Sequence, residues 1–180
     1  MNRLQIFFTI LFTSLIITNL QAQEAQFPIV EGFGGIYEIP GSVNPDPNDE
    51  YKIVIDLLTA QPDTDQLNPG LNNVARMMNL HVLGGVDPEK LSIKVAIHGG
   101  ATQTILNNGA YRKRHGTDNP NIDLIDALKA AGVEVYVCGQ SLIGRDIEIE
   151  EVNNEVIIGL SMLTVVTTAM NNGYDLLVFD

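Results

Sequence analysis

Short β-branched runs alternate with helical stretches from residue 51 onward, and this alternation constrains the fold more than any other feature. The runs 52–58, 91–98 and 133–138 are apolar and rich in Val and Ile, as expected for strands buried on both faces. Two shorter runs, 155–158 and 174–179, complete a set of about five. The pattern predicts an α/β domain with a mostly parallel sheet and helices on both faces.

Capping residues predict where several helices begin and end. An Asn-Pro pair at residues 68–69, and another at 119–120, supplies an N-cap followed by proline at the first helical position. Gly132 follows the second of these helices as a C′ residue. A short helix is expected from about Ser141, and a longer one over residues 160–172.

The first 22 residues have the features of an export signal. Arg3 is followed by an apolar stretch that is too short for a comfortable membrane span, and Ala22 ends a cleavage-like site. The alternative is an uncleaved N-terminal anchor. Residues 23–50, broken by Gly and Pro, are predicted to be an extension, and residues 51–180 the folded domain. The mature protein is therefore predicted to be periplasmic or otherwise exported and free of the membrane.

The charge balance excludes one class of partner. The chain has 10 Lys and Arg against 22 Asp and Glu, a formal net charge of −12. Removal of the signal takes away one arginine and no acid, so the mature protein is still more acidic. Nucleic-acid binding needs a basic face, and we predict no nucleic-acid partner. The length that remains suits one domain.

Cys138 is the only cysteine, and it ends the third predicted strand. Ligands and reactive groups of open α/β sheets gather beyond the carboxyl ends of the strands. Gly139, Gln140 and Ser141 follow at once, and their backbone N–H groups would stabilise a thiolate, the nucleophilic form of the thiol. Composition alone leaves three fates open for Cys138: inert burial, pairing between chains, or reactivity.

Four further candidates are predicted to lie on the same edge of the sheet. His98 ends the second strand and is a candidate general base, unless it only caps the strand and bonds the local backbone. Gly99 follows it as a candidate ligand-binding residue. Arg112 and Arg114 belong to the one dense basic run, 112–115, which would hold an oxyanion such as sulfite or thiosulfate. The alternative is a salt-bridge patch between subunits or a solvated loop.

Other signatures are missing from the sequence. It has no dinucleotide-binding fingerprint, P-loop or Cys-x-x-Cys pair. His81, His98 and His115 are not at metal-ligand spacing, so we predict neither a metal nor a cofactor. Residues 138–141 fit the Cys-x-x-Ser pattern of monothiol glutaredoxins, which favours a third possibility, a redox enzyme that uses glutathione.

Residues 125–142 resemble the DsrE/DsrF-like family of sulfur-relay proteins, with support from residues 94–101 and 170–175. The resemblance spans roughly residues 51–180. It implies a flavodoxin-like three-layer α/β/α fold and a homo-oligomer, often a trimer or hexamer. In the relay members, a cysteine at the position of Cys138 accepts and passes on a persulfide sulfur. Those relays work in the cytoplasm, however, and many members have no established activity.

The leading hypothesis is an exported DsrE-like protein whose Cys138 binds or relays sulfane sulfur. His98 would assist proton transfer, and the partner would be a sulfur donor or acceptor protein or a small sulfur compound. The alternative is a non-catalytic oligomeric binding or scaffold protein with a structural cysteine. Whether the protein is an enzyme is left open.

Overall fold

Five parallel strands form the centre of the computed structural model, which describes residues 23–179. The strands are β1 (Tyr51–Leu57), β2 (Leu91–Ile97), β3 (Glu134–Cys138), β4 (Ile157–Gly159) and β5 (Asp175–Phe179). Their order across the sheet is β4-β3-β2-β1-β5, and each neighbouring pair is parallel. The predicted parallel, five-stranded sheet is confirmed.

Five α-helices connect these strands, together with three short 3-10 helices. The α-helices are α1 (Pro69–Leu83), α2 (Asn108–His115), α3 (Ile122–Ala130), α4 (Gly139–Ile143) and α5 (Met162–Asn171), and the 3-10 helices are Pro88–Lys90, Gly99–Ile105 and Ile149–Glu151. The predicted cap of α1 is confirmed, because the Asn68 side chain accepts a hydrogen bond from the N–H of Leu71.

The predicted cap of the next Asn-Pro helix is wrong. Helix α3 has Asn121, not Asn119, at its N-cap position. The Asn119 side chain is buried, and its amide donates to the carbonyl oxygens of Thr104 and Leu106. The Asn119 amide thus supplies a donor to two carbonyl oxygens, which would cost free energy if they were left without one, and its Oδ1 accepts from the N–H of Asn121.

The strands alternate their side chains between two unequal helical layers. Odd-numbered strand residues such as Ile55 and Val95 belong to the large core that includes side chains of α1, α2, α3 and α4. Even-numbered residues such as Val54 and Ala96 pack against Val166 and Ala169 of α5. The three layers confirm the flavodoxin-like α/β/α fold.

The chain changes direction across the sheet after β4. Strands β1 to β4 follow one another across the sheet, and α5 then carries the chain back along the opposite face to place β5 beside β1. Strands β3 and β4 are therefore neighbours whose following helices, α4 and α5, lie on opposite faces. Such a switch point opens a crevice beyond the carboxyl ends of the two strands, where open α/β sheets bind ligands.

The segment before β1 is tied to α1 by one buried side chain. The Asn79 Oδ1 accepts from the N–H groups of Ile29 and Val30, both at 3.0 Å. Its amide nitrogen donates to the carbonyl oxygens of Phe33 and Gly34. The first part of the predicted extension is thus packed against the domain, with Val30 fully buried.

The predicted export signal, residues 1–22, lies outside the described residues. Within residues 23–179, none of the helices combines the length and the apolar character needed to cross a membrane.

We expect Asn79→Ala to lower the free energy of unfolding by about 2–4 kcal/mol, because it leaves four backbone groups without partners. It should also expose the segment before β1 to protease. Chemical denaturation and limited proteolysis measure the two effects. Asn73→Ala is the control, since Asn73 bonds only the exposed Arg76 side chain, and it should change stability by less than about 0.5 kcal/mol. Equal effects of the two variants would contradict the assignment.

Candidate functional site

Cys138 lies at the switch point of the sheet. It is the last residue of β3 and pairs in register with Gly159, the last residue of β4. Its Sγ lies 3.9 Å from the Oγ of Ser161, which precedes α5. In the single chain Cys138 is only 5% exposed, so direct access to the thiol from solvent is limited.

Two glycines allow the chain segments around the thiol to approach closely. A Cβ on Gly139 would lie 2.9 Å from the carbonyl oxygen of Gly159, and a Cβ on Gly159 would lie 2.5 Å from Val165 Cγ2. A side chain at Gly139 would force the β3–α4 and β4–α5 turns apart, and one at Gly159 would displace α5 at Val165. The glycines thus keep donors from both turns within reach of one sulfur atom.

Burial and hydrogen bonding act in opposite directions on the Cys138 thiol. Burial raises the pKa of Cys138. Four hydrogen bonds lower it by more than burial raises it, and their donors are the hydroxyl and N–H of Ser141, the N–H of Met162 and the hydroxyl of Ser161. The net pKa of Cys138 lies below its ordinary value, which increases the thiolate fraction at neutral pH.

The donors at Ser161 and Met162 were missed by sequence reasoning. Ser161 is the N-cap of α5, and its Oγ accepts from the N–H of Leu163 at 3.3 Å. A serine just before an apolar helical run is an N-cap signal. That signal places the start of a helix, but only the pairing of β4 with β3 brings this helix start to Cys138.

Three side chains stand in a row across the carboxyl ends of β1, β2 and β3. Ile97 pairs with Val137, so His98 and Cys138, one residue further, occupy adjacent strand ends. Because side chains alternate along a strand, Asp56, His98 and Cys138 all share the face that packs against α5. His98 and Cys138 thus follow from adjacent strands on the same face of the sheet.

A carboxylate orients the His98 ring. The His98 Nε2 lies 2.7 Å from Asp56 Oδ1, and the two side chains are 20% and 21% exposed. Since the carboxylate only accepts, Nε2 donates the proton. Nδ1 has no hydrogen-bond partner among residues 23–179. In the neutral ring it is left as a proton acceptor, as general-base chemistry requires.

The other predicted ligand-binding residues have varied surroundings. The Gln140 amide donates to the carbonyl oxygen of Leu160 at 3.3 Å, across the crevice. Gly99 has a positive φ of 54°, and a Cβ there would lie 2.3 Å from Leu58 Cδ1. The absence of a side chain at Gly99 therefore allows the segments that follow β1 and β2 to approach each other closely.

The basic run forms the last turn of α2, and two of its cations are paired with carboxylates. Arg112 binds Asp118 at 2.5 Å. Arg114 binds Glu151 at 2.6 Å and donates to the carbonyl oxygen of Asp146. Both guanidinium groups are therefore engaged by carboxylates, and no hydrogen bond joins either of them to Cys138 within the described part of the chain.

The model of the DsrE/DsrF-like family matches residues 52–179 of this chain. The chain belongs to that family. The match includes all five strands and Cys138. Membership suggests, in general terms, a role in sulfur relay.

Two solved structures share the fold. One is the protein of unknown function MTH1491 from Methanobacterium thermoautotrophicum, with 15% identity, a TM-score of 0.55, and coverage of 72% of this chain and 100% of that one. The other is the ychN protein from E. coli, with 22% identity, a TM-score of 0.52, and coverage of 72% and 99%. The search of curated proteins found no match. These similarities support the architecture, not a substrate.

We expect Ser141→Ala to raise the pKa of Cys138, because it removes a hydroxyl that stabilises the thiolate. The rate of alkylation by iodoacetamide, measured against pH, should then rise at a higher pH than in the wild type. Ser42→Ala is the control, since Ser42 lies in the exposed segment before β1, and it should leave the profile unchanged. A Ser141→Ala profile that coincides with the wild type would disprove the hydroxyl's role.

Proposed function

We propose that this protein is an exported persulfide carrier that holds sulfane sulfur on Cys138. The observation that carries the proposal is the surroundings of the thiol. It lies in the switch-point crevice, it is hydrogen-bonded from two separate turns, and its pKa is lowered although it is buried. Membership of the DsrE/DsrF-like family supports the same chemistry.

The proposed chemical step transfers one sulfur atom to Cys138 and needs no separate oxidant. The Cys138 thiolate attacks the outer sulfur of thiosulfate, a new S–S bond forms, and sulfite leaves with the electrons of the bond that breaks. The product is a persulfide anion on Cys138. An acceptor thiolate then attacks the outer sulfur, which releases Cys138 as the thiolate.

The neighbouring groups have separate roles in this proposal. The N–H groups of Ser141 and Met162 and the hydroxyls of Ser141 and Ser161 stabilise the thiolate before the attack. His98 accepts the thiol proton when a donor binds, and Asp56 holds the ring in the required tautomer.

A second function is favoured by the burial of the cysteine. At 5% exposure, Cys138 also fits a small structural residue in an oligomeric binding or scaffold protein, since free cysteines often fill cores. In that case the crevice would bind a small molecule without covalent chemistry, and slow modification of the thiol would be expected.

Incubation with thiosulfate should add one sulfur atom to the protein and release an equal amount of sulfite. Intact mass spectrometry and a sulfite assay measure the two products. Cys138→Ser is the matched control, because it keeps the shape of the side chain and removes the nucleophile. No added sulfur with either thiosulfate or polysulfide, together with alkylation no faster than in the unfolded chain, would favour the scaffold function.

We also propose that copies of this chain assemble through the α5 face, as a trimer or hexamer. This face is covered by one helix and carries exposed apolar side chains, including Leu160 at 74% and Leu163 at 67% exposure. Leu176 and Val178 of β5 are exposed on the same side. Exposed apolar side chains on one face are typical of subunit interfaces, and homo-oligomers are expected from the family resemblance.

Light scattering on the protein that begins at Gln23 should give a mass about three or six times that of one chain. The double variant Leu160→Glu with Leu163→Glu should dissociate it, because four or more buried charges at a symmetric interface are costly. Ile39→Glu with Val43→Glu adds the same charge to exposed positions before β1 and should leave the mass unchanged. A wild-type protein with the mass of one chain would refute the assembly.

A further inference from the structure

The sheet ends on one side at β5, and the outer edge of this strand has no partner among residues 23–179. The order β4-β3-β2-β1-β5 leaves β4 and β5 as the two edge strands, and β4 has three residues whereas β5 has five. Proteins usually protect a longer edge with a lysine, a proline or a bulge, because its unpaired N–H and C=O groups can bind another strand. β5 contains none of these.

The strand register identifies which backbone groups of β5 face outward. The N–H of His98 donates to the carbonyl oxygen of Leu57 at 3.0 Å, so the odd-numbered residues of β1 bond to β2 and the even-numbered ones face β5. Val54 of β1 pairs with Leu176. Because a residue in a parallel pair bonds the two neighbours of its partner, β1 bonds the odd-numbered residues of β5. The N–H and C=O groups of Leu176 and Val178 therefore point away from the sheet.

Apolar side chains of β5 are exposed on both faces of the sheet. Leu176 and Val178, which are 40% and 54% exposed, lie on the α5 face, and Leu177, which is 39% exposed, lies on the opposite face. Leu177 also lines a groove of about 400 Å³ beside residues 49–53. A helix or a small molecule would cover only one of these faces, whereas a second strand bonded to the edge covers both.

We propose that β5 pairs antiparallel with β5 of a second copy of this chain, about a two-fold axis at Leu177. The outward-facing residues Leu176 and Val178 are placed symmetrically about Leu177, as such an axis requires. Leu176 of each copy then lies opposite Val178 of the other, and these pairs exchange about four backbone hydrogen bonds. The two Leu177 side chains meet at the axis and cover one another.

The charge of β5 favours this antiparallel arrangement. Asp175 is the only charged residue of the strand. In the antiparallel register the two Asp175 carboxylates lie at opposite ends of the paired strands, roughly 14 Å apart along the strand direction, where salt screens their repulsion. An in-register parallel pair would place them side by side. Each copy uses its one β5 edge, so the contact closes at two chains.

The pairing deepens the assembly proposed above for the α5 face. A hexamer of identical chains needs a two-fold contact in addition to a three-fold one, and the β5 edge supplies the two-fold contact beside the α5 face. Only the total of six chains rests on the α5 interface. The pairing of β5 itself depends neither on that interface nor on Cys138.

Light scattering on the protein that begins at Gln23 tests the pairing. The wild type should have about six times the mass of one chain. Val178→Pro should lower this to about three times, because proline removes an outward N–H and no hydrogen bond to β1. Val178→Thr is the matched control, since it keeps the N–H and the branched shape, and it should keep the wild-type mass. Leu160→Glu with Leu163→Glu should give about two chains, since it leaves β5 intact.

A cysteine on the proposed axis tests the register, and it does so even if Val178→Pro does not fold. Leu177→Cys with Cys138→Ser would place two thiols on residues whose Cα atoms are about 4.5 Å apart, which is within reach of a disulfide. Oxidation by diamide should then join the chains in pairs on a gel without reductant. Val43→Cys with Cys138→Ser is the control, since Val43 is 99% exposed and lies before β1, and its chains should stay single.

The β5 contact and the α5 contact can fail separately. A wild-type mass of about two chains would support the β5 pair and refute the α5 interface, and a mass of about three chains would do the reverse. A mass of one chain would refute both contacts. The β5 pair is also wrong if Val178→Pro keeps the wild-type mass, or if the Leu177→Cys chains are not joined by the oxidant.

Discussion

The close contact between the β3–α4 and β4–α5 turns is the constraint on which the candidate site depends. Gly139 makes it possible, because a Cβ there would lie 2.9 Å from the carbonyl oxygen of Gly159, and the absence of a side chain at Gly159 leaves room for Val165 of α5. The contact brings the N-terminal end of α5 to the end of β3, although Cys138 and Ser161 are 23 residues apart in sequence. Without it, the thiol would keep its burial and lose half of its donors. Its pKa would then rise, and the same cysteine would be inert.

Burial and hydrogen bonding have to be considered together at Cys138. An exposed cysteine in an acidic protein has few groups to stabilise its thiolate, whereas a buried one without donors stays protonated. Here the hydrogen-bond donors lower the pKa of Cys138 by more than burial raises it. Burial still limits the access of other molecules to the sulfur. The row Asp56–His98–Cys138 lies on the face covered only by α5, and the exposed Leu160 and Leu163 border that face. In the proposed assembly, a second copy that covers these leucines would also narrow the approach to the thiol, so assembly and access would be coupled.

Local patterns in the sequence predict the elements of this fold well and the site only in part. The β-branched runs place the strands, and Asn68 caps α1 as its position before Pro69 indicates. Asn119 has the same local signal but bonds two buried carbonyls from a distant segment, which no local pattern reveals. The pairing of Asp56 with His98, and of Ser161 with Cys138, likewise depends on strand register and strand order. The basic run at 112–115 is conspicuous in the sequence, yet the acids that pair with it at 118 and 151 come from later segments.

The carboxyl edge of the sheet divides into two regions with opposite hydrogen-bonding character. At β3 and β4 the backbone and the serines present donors that stabilise the thiolate form of Cys138. Beyond β1, the carboxylates of Asp63 and Asp65 line a cavity that has no lysine or arginine of the described residues in its wall. Anionic sulfur compounds are matched by the first region and repelled by the second, and the reverse holds for cations. The effect of the acidic composition therefore differs along this edge. Near Cys138, hydrogen-bond donors from two turns can stabilise negative charge, whereas the carboxylates beyond β1 favour positively charged ligands.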